Sequence, residues 1–265
     1  MINISKGLDL PISGSPAIKI SDEPKISTVA LLSNDFIGMK PTMLVKVNDK
    51  VKVGQKIFED KKSPGVFFTS PAGGTVKSIN RGDKRMFLSI EIDIDVNEEY
   101  ELFTLGNNKN DIKTALIDAG LWHAFRTRPF NRTPKVNDDV DAVFINCCDT
   151  NPLSVDPYEI IKEDKSLFDD GIKTLSNLFD CEIHLTYQNT NFDTSNNDII
   201  YHQVSGPHPA GLSSTHISKI YPVSLKRVAW TINYQDIISI GYLFKNNKIR
   251  THKIIGLGGP NVFEP

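Results

Sequence analysis

Through the first hundred positions, apolar and polar residues alternate in short runs, cut every few residues by Gly, Pro, Asp or Asn. That is the pattern of an all-β module. Met43 to Val47 predicts one strand, with Asn48-Asp49 as the turn after it. Val51 to Phe58 passes through Gly54 into the next strand, and Val66 to Thr69 pairs back. Ser70 to Val76 turns sharply into another strand, and Leu88 to Ile94 alternates as the last.

From about Asp111 the period changes. Ile112, Ala115, Leu116, Ala119 and Leu121 give a helical stripe, with Asp111 as its N-cap and Gly120 near its stop. Ala142 to Cys147 is a continuous apolar run of the buried parallel-strand type. Tyr158 to Phe179 predicts one long helix, followed by strands over Cys181–Thr186, Ile199–Val204 and Arg227–Ile232. A helix over Asn233–Phe244 and a strand over Lys253–Leu257 complete the pattern. Strands alternating with helices imply a parallel sheet with crossover helices, a Rossmann-like layer arrangement. The expected fold class is therefore α+β and multidomain, with an all-β unit over 1–104 and an α/β unit over 105–265. The end at Pro265, straight after a turn, suggests a piece of a longer protein.

Composition narrows the function classes. The 265 residues are 39% apolar and 23% charged, ordinary for a globular chain long enough to bury two cores. A net charge of −2 with interleaved signs gives no electrostatic footprint for nucleic acid. Cys147, Cys148 and Cys181 form no CxxC pair, so zinc-ribbon and cubane iron–sulfur ligation lack their ligands. The apolar run Ile237 to Phe244 is far shorter than the ~20 residues of a membrane span.

Three places have the residue types of a site. Asp49 to Gln55 with Ser70 to Val76 resembles the biotinyl/lipoyl barrel-sandwich hybrid, whose carriers bear a prosthetic group on a hairpin lysine. Lys61 and Lys62 sit near that tip, and a solvated structural hairpin is the competing reading. A Rossmann-like sheet would bind phosphate or flavin at a glycine loop, because backbone N–H groups must crowd around the anion. Asp118 to Phe130 resembles the flavin segment of the NADH-oxidising subunit of respiratory complex I, but Trp122, His123, Phe125, Arg126 and Thr127 replace the glycines. Gly258-Gly259 meets Pro260 and is no better a loop. His208 and His216 lie on a Pro/Gly-rich segment without an evident third ligand, so hydrogen-bonded loop histidines compete with a metal site.

Several strings, in order, carry a wider resemblance. They include Lys6 to Ile12, Phe58 to Lys62, Pro71 to Val76, Ile79 to Gly82, Phe125 to Phe130 and Asp149 to Leu153. Gly206 to Leu212, Thr215 to Ile217 and Tyr234 to Asp236 complete the set. Together they resemble the A-subunit family of the sodium-translocating NADH:quinone oxidoreductases. The resemblance implies a peripheral subunit on the cytoplasmic face of the bacterial inner membrane, in a six-subunit complex. It implies that NADH oxidation, the flavins and the iron–sulfur centres belong to other subunits, and that no cofactor is bound here. It further implies a missing C-terminal SLBB-type module and helical region. The leading expectation is a non-catalytic subunit docked on the membrane-embedded quinone-reducing part, with Arg126, Arg128, His208 and His216 as candidate partner or quinone contacts. The alternatives are a quinone- or flavin-binding redox protein in its own right, and a lipoyl- or biotin-type carrier.

Overall fold

A computed structural model describes residues 1–17, 20 and 25–262. The predicted end at Pro265 lies outside them. Strands in the first part are Ile2–Asn3 (β1), Thr28–Leu32 (β2), Pro41–Met43 (β3), Lys50–Val51 (β4), Lys56–Asp60 (β5), Phe67–Thr69 (β6), Gly74–Arg81 (β7) and Phe87–Ile94 (β8). An antiparallel sheet in the order β2-β8-β7-β4 faces a smaller one, β3-β5-β6. Alternate residues of both turn inward, and a bulge at Lys56–Phe58 lets the adjacent Ile57 and Phe58 both join Phe68, Val76, Ile90 and Ile92 in a core at most 1% exposed. Phe58 bridges it, stacked on Phe68 at 4.6 Å and tilted against Phe87 at 5.5 Å. The strand expected over Met43–Val47 ends at Met43, because the chain turns towards Asn48, whose φ is 73°.

The second part contains Lys109–Asp118 (α1), Arg126–Arg128 (β9), Ala142–Cys147 (β10), Pro157–Glu163 (α2), Lys165–Leu178 (α3), Glu182–Tyr187 (β11), Ile200–Ser205 (β12), Ser213–Ile220 (α4), Ala229–Asn233 (β13) and Tyr234–Asn246 (α5). Its sheet runs β1-β12-β11-β10-β13-β9, parallel throughout except for the antiparallel edge strand β9. Side chains of β10 divide between the two faces. Val143, Ile145 and Cys147 join the core with α1, α3 and α5, while Ala142 and Phe144 pack with Ile217 of α4. The adjacent Cys147 and Cys148 point into different clusters, and burial pushes both thiols up, that of Cys148 to about 12.

Four further expectations change. The N-cap of α1 is Asn108, not Asp111: its side-chain oxygen accepts the Asp111 N–H at 2.9 Å, and its amide donates back to the Asp111 carboxylate. The helix read over Tyr158–Phe179 breaks at Asp164 (φ −114°, ψ 29°), whose carboxylate meets Arg250 at 2.7 Å. The apolar stripe runs on across this break, so its period could not reveal it. Lys253–Leu257 forms no strand. Ile254 instead satisfies its N–H and C=O on the side-chain amide of Gln235, at 2.9 and 2.8 Å. Finally, β1 lies within the sequence range of the β unit yet pairs with Val204 and Ser205 of the second sheet.

The β sandwich and the α/β layer share one continuous core. At their seam His123 stacks on Phe68 (5.0 Å, 3°) and meets Phe36 edge-on at 5.1 Å. Thr69 Oγ1 donates to Ala119 O at 3.1 Å, close under Gly120, which ends α1 with φ +68°.

Candidate functional site

In an open parallel sheet, ligands sit outside the carboxyl ends of the strands where the strand order reverses. Here the chain leaves β10 for β11 on one side, and β12 returns through α4 to β13 on the other. The reversal therefore falls between β10 and β13. A cleft of about 420 Å³ opens at that point. Asn146 of β10 and Thr231 to Asn233 of β13 form its floor. Ser213, where α4 begins, and Asp236 in the first turn of α5 stand at its walls. The β unit closes the other side with Asp35 and Phe36, joined by His123 and Arg126.

The polar groups of this cleft are fixed by the chain. Asn146 donates to Gly211 O at 3.0 Å and accepts the Cys148 N–H at 3.1 Å, tying the end of β10 to the Pro/Gly loop. Arg126 donates to Asp35 O at 3.0 Å and to Thr133 Oγ1 at 3.2 Å, so its guanidinium bridges the two units. Burial pulls that guanidinium's pKa down, and Asp236 and Asp35 counter it. Lys253 pairs with Asp236 at 2.6 Å. Burial also drives His123 to about 4, against Asp236, and Arg126 and Lys253 add to the effect. The cleft thus combines a neutral imidazole, a ring wall at Phe36 and a guanidinium beside two helix starts.

Of the four residues singled out from sequence, Arg126 lines this cleft. Arg128 donates to the side chain of Asn131 on its own turn. His208 Nδ1 lies 3.1 Å from both Thr150 Oγ1 and Thr150 O, and its backbone N–H donates to Asp9 at 2.9 Å. His216 Nε2 donates to Ala210 O at 2.5 Å. Those histidines brace the loop that leads into α4. Among the described residues, no three His, Cys, Asp or Glu side chains come together as metal ligands. Lys61 and Lys62 occupy the exposed turn between β5 and β6, where buried Asp60 accepts the Lys62 N–H at 3.0 Å. Asp35, Phe36, Asn146, Ser213 and Asp236 escaped sequence reasoning. The one available signal was Asn146, a polar residue ending an otherwise apolar run.

The segment after α1 differs physically from a phosphate loop. Gly120 and Leu121 N–H groups bond to Ile117 O and Leu116 O, and Ala124 and Phe125 N–H groups to Leu121 O and Trp122 O. These donors are consumed internally. Trp122 and Phe125 are 2% and 0% exposed, packed among Phe179 and Trp230.

Histidines elsewhere follow the same burial logic as His123. His184 Nδ1 and His202 Nε2 lie 3.0 Å apart, so one ring must donate to the other. Burial lowers the pKa of His184, His202 and His216 below the ordinary value. Since the folded values lie below the unfolded ~6.5, the unfolded chain takes up more protons as pH falls. The stabilisation is complete above pH ~7.5 and is lost as pH drops through 6.5 towards the folded values. Each such group contributes a slope of up to about 1.4 kcal/mol per pH unit. Urea midpoints measured from pH 7.5 to 5.5, above the carboxylate range, are expected to fall steadily. A flat profile would show that these imidazoles are not held neutral.

Fold and site together define a two-module chain, a β sandwich set against a largely parallel α/β layer with a shared cleft at the strand-order reversal. A family model for the NqrA N-terminal barrel-sandwich hybrid domain matches residues 2–95, and one for the NqrA second alpha/beta domain matches residues 107–249. The chain belongs to this family, the NqrA subunits of the Na(+)-translocating NADH-quinone reductases. It is 44% identical to the NqrA of Klebsiella pneumoniae (strain 342) and 46% to that of Neisseria meningitidis serogroup B, over 273 residues in each case. The NqrA of Vibrio atlanticus is 43% identical over 272 residues. Each match takes in the whole of this chain and 61% of the relative, so the chain spans less than two thirds of their length. No described helix is long and apolar enough to cross a membrane.

Proposed function

We propose that this chain works as part of a peripheral, non-catalytic subunit of a sodium-translocating NADH–quinone reductase, on the cytoplasmic face of the membrane. Its role is to dock on the membrane-embedded subunits and to form one wall of the quinone-reducing end. The observation that carries the quinone contact is the cleft between β10 and β13, which both units of the chain build together. A quinone needs an apolar slot and one or two polar groups at its carbonyl oxygens. Phe36 offers the slot, and Arg126 with the start of α5 offers positive charge where those oxygens gain electron density on reduction.

Flavins and iron–sulfur centres are assigned to partner subunits. What supports this is the segment after α1, where the Gly120, Leu121, Ala124 and Phe125 N–H groups are bonded internally and the buried Trp122 and Phe125 rings fill the space a flavin would need. The test is titration of the chain with a water-soluble short-chain quinone, read by tryptophan fluorescence. Saturable quenching, weakened about tenfold or more by Arg126→Ala, is the expected outcome. Linear, unsaturable quenching in both proteins would remove the quinone contact. The docking role is tested separately by co-purification with the membrane subunits, and a chain that ignores them refutes it.

A further inference from the structure

Apart from that cleft, α2, α3 and the loop 188–199 line a second cavity of about 340 Å³. It shares no residue with the cleft at β10 and β13. Four aromatic rings line it: Tyr158 of α2, Phe168 of α3, Phe192 of the loop and Tyr201 of β12. Phe192 is their hub. It stands edge-on to Phe168 at 6.2 Å and tilted to Tyr158 at 6.5 Å, and its other contact is a stack on Tyr187 at 5.1 Å. The loop holding it is anchored, since Asn189 donates to Asp156 at 2.8 Å and the Phe192 N–H donates to Asn189 O at 3.2 Å.

Lys162, Lys165, Asp169 and Asp193 line this cavity, and Glu159, just outside the lining, brings the local sum to one negative charge. Lys162 is matched by Glu159 at 3.6 Å, and Lys165 binds both oxygens of Asp169 at 2.5 and 2.7 Å. That leaves Asp193, which shares Lys165 only at 3.4 Å. Ser195, whose N–H donates to Asp193 at 3.0 Å, holds this carboxyl below the usual range, so it is ionised at neutral pH. A carboxylate whose only cationic partner among the described residues is a shared lysine at 3.4 Å, beside four aromatic side chains whose faces are electron-rich, is an environment that attracts a cation with an apolar body.

We propose that this cavity binds a small organic cation, an aromatic or alkylated amine, with its apolar part among Tyr158, Phe168, Phe192 and Tyr201 and its ammonium at Asp193. The volume suits a ligand of one ring rather than a dinucleotide. Lys165 is the built-in competitor, since its ammonium already leans towards the same carboxylate. The ligand would therefore release Lys165 entirely to Asp169. Nothing in the site requires the quinone contact proposed above, and either assignment stands if the other fails.

Three probes that share one ring separate the terms: benzylammonium, benzyl alcohol and benzoate, titrated against the chain by NMR. Saturable shifts of the Phe192 and Tyr201 ring signals are expected with benzylammonium. Its affinity should exceed that of benzyl alcohol by about tenfold, with benzoate weakest. Asp193→Asn, a change on an exposed loop, should reduce that discrimination to about threefold or less while leaving benzyl alcohol binding unchanged. Phe192→Ala should abolish binding of all three. Equal or tighter binding of benzoate, unchanged discrimination in Asp193→Asn, or no saturable shift with any probe would overturn the assignment.

Discussion

Trp230→Ala is expected to lower the unfolding free energy by about 3–5 kcal/mol, a large share of the 5–15 kcal/mol typical of a folded chain. Trp230 is 1% exposed in β13, the strand between β10 and the edge strand β9. Its indole meets Trp122 at 5.7 Å, Phe179 at 5.7 Å and Phe125 at 5.8 Å. Removing it opens a void among rings from α1's exit, α3's exit and the sheet, and rigid aromatic neighbours cannot collapse to fill it. The buried indole N–H has no hydrogen-bond partner among the described residues. Trp230→Phe is therefore expected to cost less than about 2 kcal/mol, because losing an unsatisfied donor offsets part of the lost volume. Urea unfolding followed by far-UV circular dichroism measures both. An alanine variant within about 1 kcal/mol of the parent would show that this cluster does not carry the packing of the α/β layer.

Gly241→Ala is expected to destabilise by about 2–3 kcal/mol, although alanine is the better helix former by about 1 kcal/mol. The reason lies in how closely α3 and α5 approach. A Cβ on Gly241 would stand 1.8 Å from Leu167 O and 2.9 Å from Gly171 N, and a Cβ on Gly171 would stand 2.1 Å from Ile237 O. All these obstacles are backbone, so no side-chain rotation relieves them. The helices would have to separate, pulling Ile172, Leu175, Ile237 and Ile240 out of register over the sheet. The same urea experiment decides it. A gain in stability, as helix propensity alone would give, would mean that the two backbones are not in contact.

Much of this architecture was legible because burial imposes period. The alternation over Leu88–Ile94 and the apolar run Ala142–Cys147 gave strands close to their true limits, and the Asn233–Phe244 helix was read to within a turn. What escaped was structure maintained by partners remote in sequence. Ile2–Asn3 is too short to show a pattern and is a strand only because Val204 and Ser205 lie beside it. The break at Asp164 depends on Arg250, and the missing last strand on Gln235. The cleft escaped for the same reason. Its floor and walls draw on Asp35, His123, Asn146, Ser213 and Asp236, five positions that only the fold brings together. Arg126 was singled out from sequence as a polar group on a constrained loop, and it lines the cleft.

The pairing of Ile2 with Val204 also governs when this protein can finish folding. During synthesis Ile2 and Asn3 must wait, unpaired, until β12 has been made about two hundred positions later. The loop they close contains the whole β unit, and a loop of that length is costly to close while its contents are still a random coil. Collapse of that unit brings its two ends near one another, which shortens the effective loop to a few spans across a folded body. A vectorial order follows in which the β unit folds first, the α/β sheet grows outward from β10, and β1 is the last strand to dock.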